Sequence, residues 1–375
     1  MKFSEDAQRH FQRFGFEWQE GGPIVSANPK LLFNISGGVV FEEAICYGAA
    51  PTKRRVVSVQ TCLRTDGWEK IGLSGRHHLA FDMLGHFSLY ENGGRETKEL
   101  MIESAWRYLT DFLEISSNSL SATVHPGDHI SSKIWESLGV KTVLNDGNIS
   151  HTPARNRCGT RTEIVWKNPS TQRSIELWNL VFTEFEGTTL FECPLSTIAA
   201  DSGASIDRIV TAVECCSSDY DNSNWKSVVS FLSELSRIND RALACRLADL
   251  GKAATLLMGE GLRPGNRAAE YVLRKIIREA LVLCQQASIP VGDFATVMAE
   301  RWDSSQTAQA AFVEEAARFE KALDRGRKEL AKLSVRRNGP LTEQDVEYLA
   351  STFGFPKTLI KFGESKRETG EHNEE

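Results

Sequence analysis

An α+β fold with an antiparallel sheet, followed by an all-helical region, is what this sequence predicts. Three observations carry that reading. Strand-like runs separated by turn residues fill the first part of the chain, helical periodicity takes over near residue 235, and 375 residues is a comfortable length for two domains. The expected division is an α+β domain over 1–235, a helical domain over 236–362, and a disordered tail over 363–375, which ends in the charged, apolar-poor ESKRETGEHNEE.

The elements follow in order. VVSVQTCL (56–63), HLAFDMLGHFSL (78–89) and SIELWNLVFTEF (174–185) have strand composition, and the pairs Gly21-Gly22, Gly37-Gly38 and Gly93-Gly94 punctuate this half. One helix interrupts at roughly 95–114, with Leu100, Ala105, Leu109 and Leu113 near helical spacing. In AAEYVLRKIIREALVLC (268–284), Val272, Leu273, Ile276, Ile277, Ala280, Leu281 and Cys284 form one broad apolar stripe. Segment 308–333 is a helix with Glu314–Arg318 and Asp324–Lys328 at i,i+4. Asn338-Gly339-Pro340 ends it, and Thr342 N-caps another.

Composition narrows the function classes. The chain is 41% hydrophobic and 25% charged, which excludes collagen-like, disordered and disulfide-stapled classes. Cys46, Cys62, Cys158, Cys193, Cys215, Cys216, Cys245 and Cys284 read as reduced thiols of a cytoplasmic protein. No run reaches the roughly 18 apolar residues a membrane span needs, and the charged start MKFSEDAQRH is no secretory signal. Forty-four basic against 50 acidic residues leave a net charge of −6, so nucleic acid would have to meet a local basic face. HPGDH (125–129) has zinc-like His spacing, but a Pro-Gly turn with no second ligand pair predicts no structural zinc and no metal ligands.

Three pieces carry candidate chemistry. In the hairpin 60–89, Arg64 ends one strand, Arg76 sits in the loop, and Leu79, Phe81, Met83 and Phe87 share a face of the second strand. A strand-borne guanidinium can hold phosphate bidentately and a ring can stack on a base, although a surface hairpin with a core Phe fits the same spacing. In the strand 174–185, Ile175, Leu177, Asn179 and Val181 share a face, so Asn179 either braces the core or contacts a ligand. In AADSGASIDRI (199–209), a carboxylate at Asp201 precedes a small-residue turn and Arg208 in the first turn of a helix. That arrangement suits a ligand's ammonium and phosphate, or else an N-cap beside a surface ion pair.

Together, and in this order, these pieces resemble the catalytic core of alanyl-tRNA synthetases, which are class II synthetases. LLFNISGG (31–38) and CGTRTEI (158–164) add to the match. RLADLGKAATLLMGEGLRPGNRAAEYVLRKIIREAL (246–281), FEKALDRGRKELAKL (319–333) and TFGFPKTL (352–359) extend it into the helical tRNA-recognition region. The resemblance implies a class II sheet flanked by helices, ATP and Mg²⁺ as cofactors, and alanine as substrate. It implies that Arg64 and Arg208 are the catalytic pair, with Arg64 on the α-phosphate and Arg208 on the far phosphates. Arg76, Phe81 and Asp82 complete the nucleotide site, with Phe81 on adenine. Asn179, Asp201 and Gly203 would form the amino-acid site. Arg263, Asn266, Arg267, Arg274, Lys275 and Arg278 would meet tRNA-Ala, and Asn266 matches a residue that reads the acceptor stem.

The chain departs from the family pattern at several points. Asp82 stands where Glu is usual and Ser205 where Gly is; Ala350-Ser351 replace a Tyr-Asp pair; and Glu270 and Glu279 add negative charge to the basic region. The family's zinc-dependent editing domain and C-terminal module have no counterpart within residues 1–375. One methylene is worth about 1–3 kcal/mol in an apolar pocket, so the site alone separates alanine from glycine weakly. These departures leave open a small-molecule acceptor in place of tRNA, and a non-catalytic paralogue that binds tRNA or amino acid.

Overall fold

The computed structural model describes residues 3–41, 53–91, 93–152, 156–236, 240–302, 307–337, 341–353, 355–356 and 360. Cys46, the Asn338-Gly339-Pro340 break and the expected tail lie outside the described residues. Nine strands form one sheet: β1 (Glu17–Trp18), β2 (Arg55–Leu63), β3 (Ala80–Glu91), β4 (Leu120–Val124), β5 (Thr142–Leu144), β6 (Ile149–Thr152), β7 (Arg157–Lys167), β8 (Ser174–Glu186) and β9 (Pro194–Ser205). Their order is β1-β2-β3-β9-β8-β7-β4-β5, with β6 on β7. Only the β1·β2 and β4·β5 pairs are parallel. Long alternating strands with turn-rich connections favour the antiparallel ladder in between.

Helices α1 (Phe3–Gln12), α2 (Gly94–Arg107), α3 (His129–Ser137) and α4 (Ile206–Val213) belong to the sheet half. The helix expected over 95–114 is α2 followed by a π-helical turn over Tyr108–Phe112. One buried cluster joins α1, α2 and α3 to the sheet through Phe11, Met101, Ile102, Trp135, Trp166, Trp178, Leu180 and Phe182. The HPGDH motif is a helix start. Asp128 caps α3 by accepting from Ser131 N at 3.0 Å, and it pairs with buried Lys98 at 2.8 Å. His125 Nδ1 accepts from Gly127 N at 3.1 Å. Among the described residues no three His, Cys, Asp or Glu side chains converge as a metal site.

Six helices follow: α5 (Lys226–Leu235), α6 (Arg241–Gly259), α7 (Ala268–Ala287), α8 (Val291–Trp302), α9 (Thr307–Arg337) and α10 (Glu343–Phe353). The expected stripe of α7 is buried from Leu273 to Cys284, with Val272 only half-buried. On α9 Glu314 pairs with Arg318 as expected, but Asp324 pairs with Arg327 at 3.2 Å, three residues on, rather than with Lys328. Thr342 does cap α10, exchanging bonds with Asp345. No helix among the described residues is long and apolar enough to cross a membrane.

The two halves share a core. A single buried cluster runs from Leu63, Ile71, Leu79 and Ala80 of the β2–β3 hairpin into Leu247, Leu250 and Ala254 of α6 and Leu273 and Ile277 of α7. The loop of that hairpin lies flat on α6. Gly72 has φ 78°, and a Cβ there would come within 2.6 Å of the Ala242 carbonyl oxygen, so the close approach requires glycine.

Candidate active site

A cavity of 330 Å³ opens where β2, β3, β8 and β9 meet the start of α4. The β2–β3 register sets its first wall. Leu63 pairs with Ala80 and Cys62 with Phe81, so Arg64 emerges just past the last paired residue. Alternation along β3 sends Phe81 and Met83 into the cavity. The Arg64 guanidinium carbon lies 5.2 Å from the Phe81 ring centroid, and its Nε donates to the Ile35 carbonyl at 2.7 Å. These bonds hold a flat cation beside a flat ring. Arg76 reaches the same cavity from the hairpin loop.

The second wall is the β8–β9 pair. Asn179 lies opposite Gly203 and Val181 opposite Asp201. All four line the cavity, so an amide and a carboxylate sit diagonally on one small patch. The Asn179 Oδ1 is buried and has no hydrogen-bond partner. Burial with no compensating cation pushes the Asp201 carboxyl up to about 7. Both features suit an incoming ammonium group, which donates to each oxygen and brings the missing positive charge. Gly203 keeps the floor open, since a Cβ there would stand 2.8 Å from Met83 Sδ. Arg208, in the first turn of α4, closes the cavity and donates to the Glu176 carbonyl at 3.1 Å.

Several expectations need correction. Asp82 does not line this cavity. Its neighbours Phe81 and Met83 do, so period-two alternation turns Asp82 to the other face, where it accepts from Thr61 Oγ1 at 2.7 Å. The segment from Asp201 to Ser205 is no turn but the end of β9, where small residues lie between β8 and β3. Asp201 is therefore not a helix cap; Ser205 holds that position. Ile175 does not share the face of Asn179. Trp178 pairs with Ile164 but Glu176 with Val165, leaving Leu177 unpaired in a β-bulge. The bulge turns Ile175 into the core with Trp178, Leu180 and Phe182, and Glu176 into the cavity. Glu176 went unforeseen because a bulge leaves no mark in a period-two reading. Burial, against the pull of Arg208, raises its carboxyl.

The basic residues of the helical half divide. Asn266, Arg274, Lys275 and Arg278 line a second cavity of 820 Å³ together with Arg246, Arg325 and Ser351. Arg263 and Arg267 are not in its lining. Arg263 donates to the carbonyls of Leu262 and Met258, and Arg267 occupies the N-cap of α7. Asn266 Oδ1 accepts from Arg274. Glu279 is not an idle negative charge: it accepts from Arg246 Nε at 2.8 Å and from Trp68 Nε1 at 2.7 Å. The seven described cysteines, Cys62, Cys158, Cys193, Cys215, Cys216, Cys245 and Cys284, are free thiols.

Arginines, an aromatic ring, an unpartnered amide oxygen and a buried carboxylate meet in one small cleft. The chain belongs to the class II tRNA synthetases: the family model described as tRNA synthetases class II (A) matches residues 8–370. Within that family its similarity is to alanine–tRNA ligases. The Wolbachia pipientis wMel protein of that name is 33% identical over 304 residues, covering 75% of this chain and 34% of the relative. Those of Pseudothermotoga lettingae and Xylella fastidiosa M23 are 28% and 29% identical, covering 94% and 96% of this chain and 45% of each relative. The chain thus spans between a third and a half of the length of the curated relatives it matches. The S. aureus apo histidyl-tRNA synthetase structure overlaps at a TM-score of 0.41 with 10% identity, over 57% of this chain and 65% of that one, a likeness too loose to add to the fold.

Proposed function

We propose that this chain activates alanine with ATP and passes the alanyl group to tRNA. The observation that carries the reading is the unpartnered Asn179 Oδ1 beside Asp201, in the same small cavity as Arg64, Phe81 and Arg208. The amino acid's ammonium binds Asn179 and Asp201. Its side chain faces Val181, Gly203 and Met83. Its carboxylate oxygen attacks the α-phosphorus of ATP, the bond to the bridging oxygen breaks, and pyrophosphate leaves. Arg64 and Arg208 stabilise the charge that grows on the phosphoryl oxygens, and Phe81 stacks on adenine.

Magnesium enters with the nucleotide in this reading. The carboxylates of the lining are Asp66, Glu176 and Asp201, and two of them have raised pKa values, so the cavity offers no dedicated cage. Mg²⁺ commonly takes most of its ligands from phosphate and water, and it supplies neutralisation of phosphate charge when bound. In the acceptor step a terminal hydroxyl of tRNA displaces AMP from the acyl carbon. The cations around Asn266, Arg274, Lys275 and Arg278 suit the phosphates of an acceptor stem. The division at residue 235 into activating and acceptor-binding parts belongs to the same proposal.

The test is ATP–pyrophosphate exchange. Exchange that depends on alanine supports the reading, and exchange independent of any amino acid overturns it. Charging of tRNA-Ala transcripts in the same preparation then supports tRNA as acceptor. Alanyl-adenylate formation without charging points instead to another acceptor.

A further inference from the structure

The cavity's phosphate side is assembled from two separate elements. Arg76 rides on the β2–β3 loop and Arg208 on the first turn of α4. Neither element is held by the sheet alone. Both are tied to α6, a helix of the other half, through residues spaced three apart on one face: Arg246, Asp249 and Lys252.

The contacts are specific. Arg246 Nη1 donates to the loop carbonyls of Trp68 and Ile71, each at 3.1 Å. Asp249, fully buried, accepts from Leu79 N at 2.7 Å, from His78 Nδ1 at 2.6 Å and from Tyr220 OH at 3.0 Å. His78 Nε2 meets Asp219 at 3.2 Å, so both ring nitrogens donate and the ring is an imidazolium. Burial alone would discharge it, but Asp249 and Asp219 hold its pKa at about 10. Asp219 N in turn donates to the Gly75 carbonyl at 2.9 Å, so the loop is pinned on both sides of Arg76. Lys252 Nζ lies 3.6 Å from Asp207, the residue before Arg208, and 4.7 Å from the Trp225 ring centroid. The opposing carboxylate–lysine attraction holds Asp207 ionised despite its burial. His78 stacks on the same Trp225 with ring centroids 4.7 Å apart.

We propose that Asp249 and Lys252 of α6 are positioning residues for the triphosphate: one helix fixes the loop of Arg76 and the turn of Arg208 at the separation that lets both guanidinium groups meet one nucleotide. This rests on the reading of the cavity as an ATP site. Buried charges such as Asp207, Asp249 and Lys252 have hydrophobic alternatives that stabilise as well, so a role in geometry accounts for them better than a role in stability alone.

The test uses the full chain and equilibrium titration with ATP and Mg²⁺, beside exchange kinetics. Lys252→Met and Asp249→Asn should weaken ATP binding on the order of ten- to a hundred-fold, as ångström-scale misplacement of a binding group does. The KM for alanine should hold, and Lys252→Arg should restore most of the loss. Should Asp249→Asn fail to fold, Lys252→Met still decides. Variants with lowered melting temperature but unchanged ATP affinity overturn the proposal, as does a Lys252→Arg variant no better than Lys252→Met. Wild-type exchange that ignores alanine would overturn the activity while leaving the ATP titrations to judge the clamp; a wild-type chain that takes no ATP overturns both.

Discussion

In the proposed alanine site, Asp201 couples amino-acid binding to pH. Burial with no cation nearby pushes its carboxyl up to about 7 in the free site. An ammonium must find it ionised, and binding then pulls its pKa down. The fraction of sites ready for substrate follows the ionised carboxylate. Apparent amino-acid affinity should be nearly level above pH 7 and fall about tenfold for each unit below it, giving roughly a tenfold difference in KM between pH 8 and pH 6. Asp201→Asn keeps the shape and removes the charge. Losing one charge-assisted hydrogen bond of about 1.5–3 kcal/mol raises the alanine KM by roughly ten- to a hundred-fold. The variant should also lose the pH slope, with its ATP KM unmoved. Stability carries the opposite signature. The folded pKa lies above the unfolded one, so the folded chain binds more protons between about pH 4 and pH 7, and this group's contribution falls as pH rises through that window. The assay is alanine-dependent pyrophosphate exchange at saturating ATP from pH 5.5 to 8.5. A wild-type KM that is flat from pH 8 to 6, or a slope that survives in Asp201→Asn, would refute the reasoning.

Phe81→Ala should raise the ATP KM by roughly ten- to a hundred-fold, the usual worth of stacking a base on a ring, with alanine KM unchanged; paired substrate titrations check it. Arg208→Ala should lower kcat by about a hundred- to a thousand-fold, the loss typical of one preorganised donor at developing charge, measured by single-turnover adenylate formation. His86 is held neutral by burial, its pKa lowered to about 3, with Ser202 Oγ on Nδ1 at 2.6 Å and the Met101 carbonyl on Nε2 at 3.1 Å. Its unfolded-state pKa is higher, so the stability it supports is present near neutrality and falls by about 1.4 kcal/mol per unit as pH drops below about 6.5. The difference in unfolding free energy between wild type and His86→Gln, from urea titrations at pH 7, 6 and 5, should show that slope, because the opposite contribution of Asp201 is common to both chains and cancels.

Much of the site was legible in the chain because its parts are local. Arg64 directly follows a nine-residue strand and Phe81 is the second residue of the next, a relation fixed once the hairpin pairs Leu63 with Ala80. Asn179 stood out as an amide in a run of apolar strand residues. Period-two alternation already separates Asp82 from Phe81, and the structure turns it toward Thr61, away from the cavity lining. Glu176 and Ile175 were beyond reach, because the bulge at Leu177 depends on how β8 lies against β7. Asp201 to Ser205 read as a turn because small residues serve turns and crowded central strands alike; here the neighbours β3 and β8 decide.

By itself the chain determined which residue types were available and the kind of element that bears each one. Strand propensity, helical stripes and capping residues are short-range effects, and they placed sheet before residue 235 and helices after it. The tertiary structure alone decided that Arg76 and Arg208, more than a hundred positions apart, face one cavity, and that α6 grips both of their supports. Convergence of that kind comes from strand order, a bulge and one core running through both halves. Those are set by packing between distant segments, which local sequence pattern does not encode.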